Sequence, residues 1–126
     1  MLNKIAMASG LALLSLVAAP QAFAWDKIGS KNIGHGGDRD VAIAHGLEHH
    51  RQFRMCVRGS GVHVRDLDLR FANGGHQDIS VQSHLGNGAC TRVVDLKGND
   101  RNIRKIAVRY ERLRKGNKAT ATFWAR

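Results

Sequence analysis

The sequence predicts an all-β fold, a single antiparallel β-sandwich of about eight short strands. Apolar residues alternate with polar ones along most of the chain, and Gly- or Asn-rich turns interrupt the alternation. A chain of 126 residues leaves room for one domain. Because short alternating strands without a convincing helix bury their apolar faces best between two sheets, a sandwich is favoured. A small β-barrel is the alternative.

The alternation and the turns place each strand in order. Strands are predicted at residues 25–33, 41–43, 53–58, 62–71, 79–85, 91–96, 106–111 and 119–125. The parity of the apolar positions changes near Arg65–Asp66, so we expect a β-bulge there. Asn73–Gly75 predicts a hairpin turn between the strands on either side of it. The only candidate helical turn is at Leu47–Phe53.

Residues 1–24 have the three parts of a secretory signal peptide. Lys4 is their only charge, residues 5–19 are uncharged and mostly apolar, and an Ala-x-Ala sequence ends at Ala24. The apolar stretch of about 15 residues is too short for a membrane anchor, which needs roughly 20. The cleavage junction lacks the Cys that a lipoprotein would have, so a lipoprotein is not predicted. We expect cleavage near Ala24 and a periplasmic or secreted domain, residues 25–126, with no further segment able to cross a membrane.

Cys56 and Cys90 are the only cysteines, and both lie in the part expected to be exported. An oxidising compartment makes a disulfide between them the first expectation. Closing a loop of about 35 residues would stabilise the domain by about 3–4 kcal/mol on the chain-entropy model. Two free thiols or two metal ligands are the alternatives, although no Cys-x-x-Cys spacing favours a metal.

Positive charge is concentrated near the C-terminus. After Ala24 the chain has 19 Lys and Arg against 10 Asp and Glu, a net charge of +9, and residues 101–118 alone carry +7. A concentrated positive surface attracts polyanions. Arg, which suits bidentate contacts with phosphate and carboxylate groups, supplies 13 of the 19 cations.

We therefore predict a non-catalytic binding protein that recognises an anionic component of the bacterial envelope. Lipopolysaccharide, anionic lipid and peptidoglycan are the candidate partners, and a basic surface without a ligand is the alternative. The candidate binding residues are Arg104, Arg109, Arg112, Arg114, Lys115 and Lys118. Nucleic acid is an unlikely partner because few aromatic residues lie among the cations to stack on bases. The oligomeric state is not predicted.

Seven histidines follow Ala24, and they suggest an alternative function in transition-metal binding. His45, His49 and His50 form one candidate set with Glu48. A second set consists of His63, His76 and His84, on or beside one predicted hairpin. Imidazole ligands suit Zn, Cu or Ni. No standard ligand spacing occurs, however, so surface histidines and no cofactor are the first expectation.

Catalytic motifs are absent from the sequence. Asp38 and Asp40 could act as a paired acid and base, and a cleft that joined them to His35 would indicate a hydrolase. Their position in a turn region favours structural hydrogen bonds instead. No Gly-x-Ser-x-Gly motif and no phosphate-binding loop occurs. The sequence therefore predicts that the protein is not an enzyme.

Several short motifs resemble those of one known family. They are Asp38–Val41, Phe53-Arg54, Val64–Leu67, Asn73-Gly74, Arg92–Gly98 and Arg101–Ile106. Their order is similar to that in a family of short exported bacterial proteins classed as a domain of unknown function. The resemblance implies an exported single-domain β protein without assigned chemistry. The His-rich residues 45–50 and the two cysteines depart from the family pattern.

Overall fold

The computed structural model describes residues 24–34, 36–45, 49–98 and 101–126, and in these ranges the chain forms an all-β sandwich. The expected signal peptide lies outside them except for Ala24. The strands of the sandwich are β1 (Asp26–Ile33), β2 (Arg39–Ile43), β3 (Gln52–Gly59), β4 (Val62–Phe71), β5 (His76–Leu85), β6 (Val94–Asp95), β7 (Ile103–Tyr110) and β8 (Ala119–Ala125). No helix in the described ranges is long and apolar enough to cross a membrane.

The strands form two antiparallel sheets of four strands each. The first sheet has the order β1-β8-β3-β6, and the second has the order β2-β7-β4-β5. Neither sheet closes on itself, so the sandwich is confirmed over the barrel. Between consecutive strands the chain crosses from one sheet to the other, except at the β4–β5 hairpin, whose turn is the predicted Asn73–Gly75.

The predicted bulge is present in β4. Pairing with β5 and with β7 shifts register between Val64 and Asp66. The extra residue restores the inward orientation of Leu67 and Leu69, which are both fully buried. The core between the sheets also contains Phe53 and Phe123, whose rings stack with centroids 6.2 Å apart. The change of parity of the apolar positions near Arg65 thus located the β-bulge, which keeps one face of β4 apolar.

Two local predictions are wrong. The helical turn expected at Leu47–Phe53 is not formed by its described residues, because the backbone N–H groups of Arg51 and Gln52 donate to the carbonyl of Arg126. Gln52 already belongs to β3. The strand expected at 91–96 is reduced to the two residues of β6. Ahead of β6, Thr91 pairs with β3 through a backbone hydrogen bond to Met55 outside any named strand.

Candidate functional site

Five exposed cations gather at one end of the sandwich, which we call the basic end. They are Arg58, Arg112, Arg114, Lys115 and Lys118. Arg58 lies near the end of β3, and the others lie in the connection that crosses from β7 to β8. The Ser60 N–H donates to the Lys118 carbonyl at 2.9 Å, and the Lys118 N–H donates to Ser60 Oγ at 3.2 Å. These bonds hold the connection beside Arg58.

The two segments approach each other closely at Gly59. Its φ is 96°, which side chains rarely adopt, and a Cβ there would lie 2.8 Å from the Lys118 carbonyl oxygen. A larger residue would push the chain away from Lys118. Glycine at this position therefore helps to set the distance between Arg58 and the basic connection.

A cavity of about 350 Å³ opens at the basic end, on the outer side of the first sheet. Its lining residues are Asn32, Ile33, Arg58, Gly59, Lys118, Ala119 and Thr120. Thr120 is the direct cross-strand neighbour of both Asn32 and Arg58. Its hydroxyl donates to Asn32 Oδ1 at 3.1 Å, which leaves the Asn32 amide hydrogens to donate elsewhere.

The electrostatics of this cavity favour an anion. Arg58 and Lys118 contribute two positive charges, and no carboxylate is among the lining residues. Within the described part of the chain, neither cation forms an ion pair. Arginine offers a planar set of donors and lysine a point charge. Together with the N–H groups of the Asn32 amide, they can bind a phosphate or a carboxylate.

The six predicted anion-binding residues do not form one cluster. Arg112, Arg114, Lys115 and Lys118 lie in the same connection, but Arg104 lies at the far end of β7, roughly 15 Å from Arg109 along the strand. Arg109 contacts Asp66 across the strand pair, with 3.4 Å between Nη1 and Oδ2. It therefore faces a carboxylate, unlike the cations of the basic end.

The first histidine set has one buried member. His50 is 4% exposed, and its Nε2 lies 3.0 Å from Asp26 Oδ2. His45 is exposed after β2, and its backbone N–H donates to the Ile28 carbonyl. Glu48 lies outside the described residues. Because Nε2 of His50 is hydrogen-bonded to Asp26, the first residue of β1, His50 helps to hold that strand in place.

The second histidine set is divided between the two ends of one hairpin. His63 and His84 are direct cross-strand partners, whereas His76 is paired with Arg70. Eight residues of strand separate His76 from His84, roughly 25 Å. The three side chains therefore do not converge. His76 instead lies beside Asp68 and Asp78.

Asp40 has a structural partner. The buried Tyr110 hydroxyl donates to Asp40 Oδ2 at 2.5 Å and so joins β7 to the edge strand β2. Burial raises the pKa of Tyr110 above its ordinary value of 10.0, the hydrogen bond to Asp40 raises it further, and a backbone hydrogen bond with Gly34 acts in the opposite direction. His35 lies outside the described residues.

The predicted disulfide is present between Cys56 and Cys90. Both side chains are partly buried, and the two residues pair across an isolated antiparallel bridge. A disulfide indicates an oxidising compartment. This observation fits an exported protein.

Sequence reasoning missed three contributors to the cavity, namely Asn32, Arg58 and Thr120. They come from three strands that are distant in sequence. Their meeting depends on β8 lying between β1 and β3. Strand order was not predictable from alternation, so no pattern in the sequence connected Arg58 with Lys118.

Comparisons with known proteins agree with this architecture. A comparison with curated proteins finds no match. A solved structure of Pseudomonas aeruginosa AlgX is similar, with a TM-score of 0.54 and 13% identity over 78% of this chain and 26% of the AlgX chain. The protein thus spans about a quarter of that chain, and the likeness concerns the fold alone. The family described as a domain of unknown function, DUF2541, matches residues 6–125. The chain belongs to the DUF2541 family.

Proposed function

We propose that this protein is an exported, non-catalytic binding module that recognises a phosphate-bearing anionic component of the bacterial envelope through its basic end. The observation that carries the proposal is the cavity between Arg58 and Lys118, whose lining has two cations and no carboxylate. Lipopolysaccharide and anionic phospholipid share phosphate chemistry. Peptidoglycan, with carboxylates only, is the contrasting partner.

The surrounding charges support this proposal. Arg112, Arg114 and Lys115 lie in the connection that also contains Lys118, and Glu111 is the only acidic residue within 111–118. Long-range attraction by these exposed cations would bring a polyanion to the basic end. The cavity would then provide shorter and more directional contacts from Arg58 and from the amide N–H groups of Asn32.

The export of the domain is supported by two observations. The disulfide between Cys56 and Cys90 is typical of proteins in oxidising compartments. Residues 1–24 have the pattern of a cleavable leader. We propose that cleavage near Ala24 releases the domain into the periplasm or beyond, where both phosphate-bearing partners occur.

The experiment compares binding to vesicles of phosphatidylglycerol, to vesicles of phosphatidylcholine, to lipopolysaccharide and to peptidoglycan. We expect binding to phosphatidylglycerol vesicles and to lipopolysaccharide, and none to phosphatidylcholine vesicles. Binding to peptidoglycan alone would show that carboxylates are recognised instead of phosphates. Affinity should fall steeply as salt rises from about 0.01 M to about 0.15 M, since the Debye length shortens from about 30 Å to about 8 Å. Absence of binding, or binding that salt does not change, would refute the proposal.

Matched variants test the cavity itself. The double variant Arg58→Gln/Lys118→Gln should weaken binding about tenfold or more, equivalent to about 1.4 kcal/mol. The control, Arg104→Gln/Lys105→Gln, removes the same charge at the opposite end of β7, where both residues are exposed. An equal loss in both variants would show that overall charge, and not the cavity, determines binding.

A further inference from the structure

The outer face of the second sheet brings together three side chains with metal-ligating atoms. Asp68 in β4 and Asp78 in β5 are direct cross-strand partners. His76 lies two residues before Asp78 and so points to the same face of β5. One ligand atom from each residue lies within 4.8 Å of the other two.

Asp68 is incompletely satisfied in this arrangement. Its Oδ2 accepts a hydrogen bond from Arg70 Nε at 3.0 Å. Its Oδ1 is buried and accepts no hydrogen bond from the described residues. A buried carboxylate oxygen without a partner is costly, and two carboxylates placed directly opposite each other repel. The ion pair with Arg70 offsets part of the repulsion at Asp68. A metal ion between Asp68 and Asp78 would offset the rest and give Oδ1 of Asp68 a partner.

We propose that Asp68, His76 and Asp78 bind a divalent transition metal of the zinc class. An imidazole nitrogen favours such metals over Ca²⁺ and Mg²⁺, which prefer oxygen ligands alone. Tetrahedral coordination at about 2.1 Å needs donor atoms about 3.4 Å apart. The ligand atoms lie within 4.8 Å of one another, and His76 and Asp78 are exposed, so their side chains have room to rotate toward that spacing.

The hairpin is a suitable support for this site. β4 is a central strand, bonded to β5 on one side and to β7 on the other. Three protein ligands leave a fourth position open. Beside the site lies a cavity of about 400 Å³ that is lined by both aspartates and also by Arg39 and Arg109. Water or a small anion held in that cavity would be near enough to the aspartates to serve as the fourth ligand.

The test titrates the chelator-stripped, disulfide-bonded protein with ZnCl₂ and follows binding by calorimetry and thermal shift. We expect one zinc ion per chain, with Mg²⁺ and Ca²⁺ unable to compete. His76→Gln and Asp78→Asn should each weaken binding by about tenfold or more, since even outer-shell changes cost 10- to 100-fold. Both residues are exposed, so these variants should fold.

The control is His84→Gln, which removes another histidine from β5 beside His63. It should leave zinc affinity unchanged. Absence of zinc binding, binding that survives His76→Gln, or an equal loss in His84→Gln overturns the proposal. Displacement of zinc by Ca²⁺ would overturn the assigned metal class. None of these outcomes depends on the basic end, so the anion-binding proposal stands or falls separately.

Discussion

Removal of the disulfide should lower stability without changing the native fold. Backbone hydrogen bonds connect the Cys90 segment to β3 on both sides of the cystine. The Val57 N–H donates to the Ala89 carbonyl at 2.8 Å, and the Thr91 N–H donates to the Met55 carbonyl at 2.8 Å. Because these bonds do not involve the sulfur atoms, we expect them to persist in a double serine variant, so the main effect of the substitution should fall on the unfolded chain.

The magnitude follows from the separation of the two cysteines, which is 34 residues. Loop-closure entropy then corresponds to about 3.8 kcal/mol at 25 °C. For a domain of this size that loss lowers Tm by about 15 to 30 °C. Equilibrium urea denaturation of the oxidised protein and of Cys56→Ser/Cys90→Ser measures it directly. The reduced wild-type protein is the control and should match the variant.

A loss smaller than about 1 kcal/mol would refute the entropic argument, because the unfolded chain would then have to be compact without its cross-link. A much larger loss, with altered circular dichroism of the folded state, would also refute it. In that case the cystine would be needed to place the chain between β5 and β6, and the hydrogen bonds to β3 would be insufficient.

Two further predictions concern contacts between strands and the segments beside them. Tyr110→Phe should cost about 1.5 to 3 kcal/mol, because the charged Asp40 loses its donor. Because the pKa of Tyr110 is raised in the folded protein, the unfolded chain loses this proton at a lower pH than the folded chain does. The free energy of unfolding should therefore fall as pH rises above 10.0 in the wild type, and it should fall less in the variant. Urea denaturation below and above pH 10.0 measures this difference. Gly59→Ala should be more destabilising than Gly74→Ala. Both glycines have a positive φ, but an added Cβ would lie 2.8 Å from the Lys118 carbonyl oxygen at Gly59 and would meet nothing within 4 Å at Gly74. Equal losses in urea would contradict the second prediction.

The sequence predicted the sandwich because buried and less buried residues alternate along most of β3 and all of β8, the two central strands of the first sheet. In β8 every second residue from Ala119 to Ala125 is buried, and the bulge in β4 was visible as a change of parity at Arg65. In contrast, β6 could not be bounded, because the preceding residues pair with β3 through isolated bonds and the Cys56–Cys90 bridge. Alternation reports which face is buried, but it does not report where pairing ends.

The candidate sites were predicted less well, because they depend on strand order and register. The basic connection was visible as a run of cations from Arg112 to Lys118. Its neighbour Arg58 became apparent only once β8 was known to lie beside β3. Similarly, the alternative metal set grouped His76 with His63 and His84, but the register of the hairpin places His76 beside two aspartates.

The distribution of charge determines how a polyanion can approach the domain. The outer face of the second sheet holds Asp66, Asp68 and Asp78, so its cations are offset by carboxylates. The basic end has no comparable acidic group in its cavity. A polyanion is therefore attracted to one end of the sandwich and not to that face. A domain bound through Arg58 and Lys118 would leave the proposed metal site exposed, because Asp68, His76 and Asp78 lie on the outer face of the second sheet and the cavity lies on the outer side of the first.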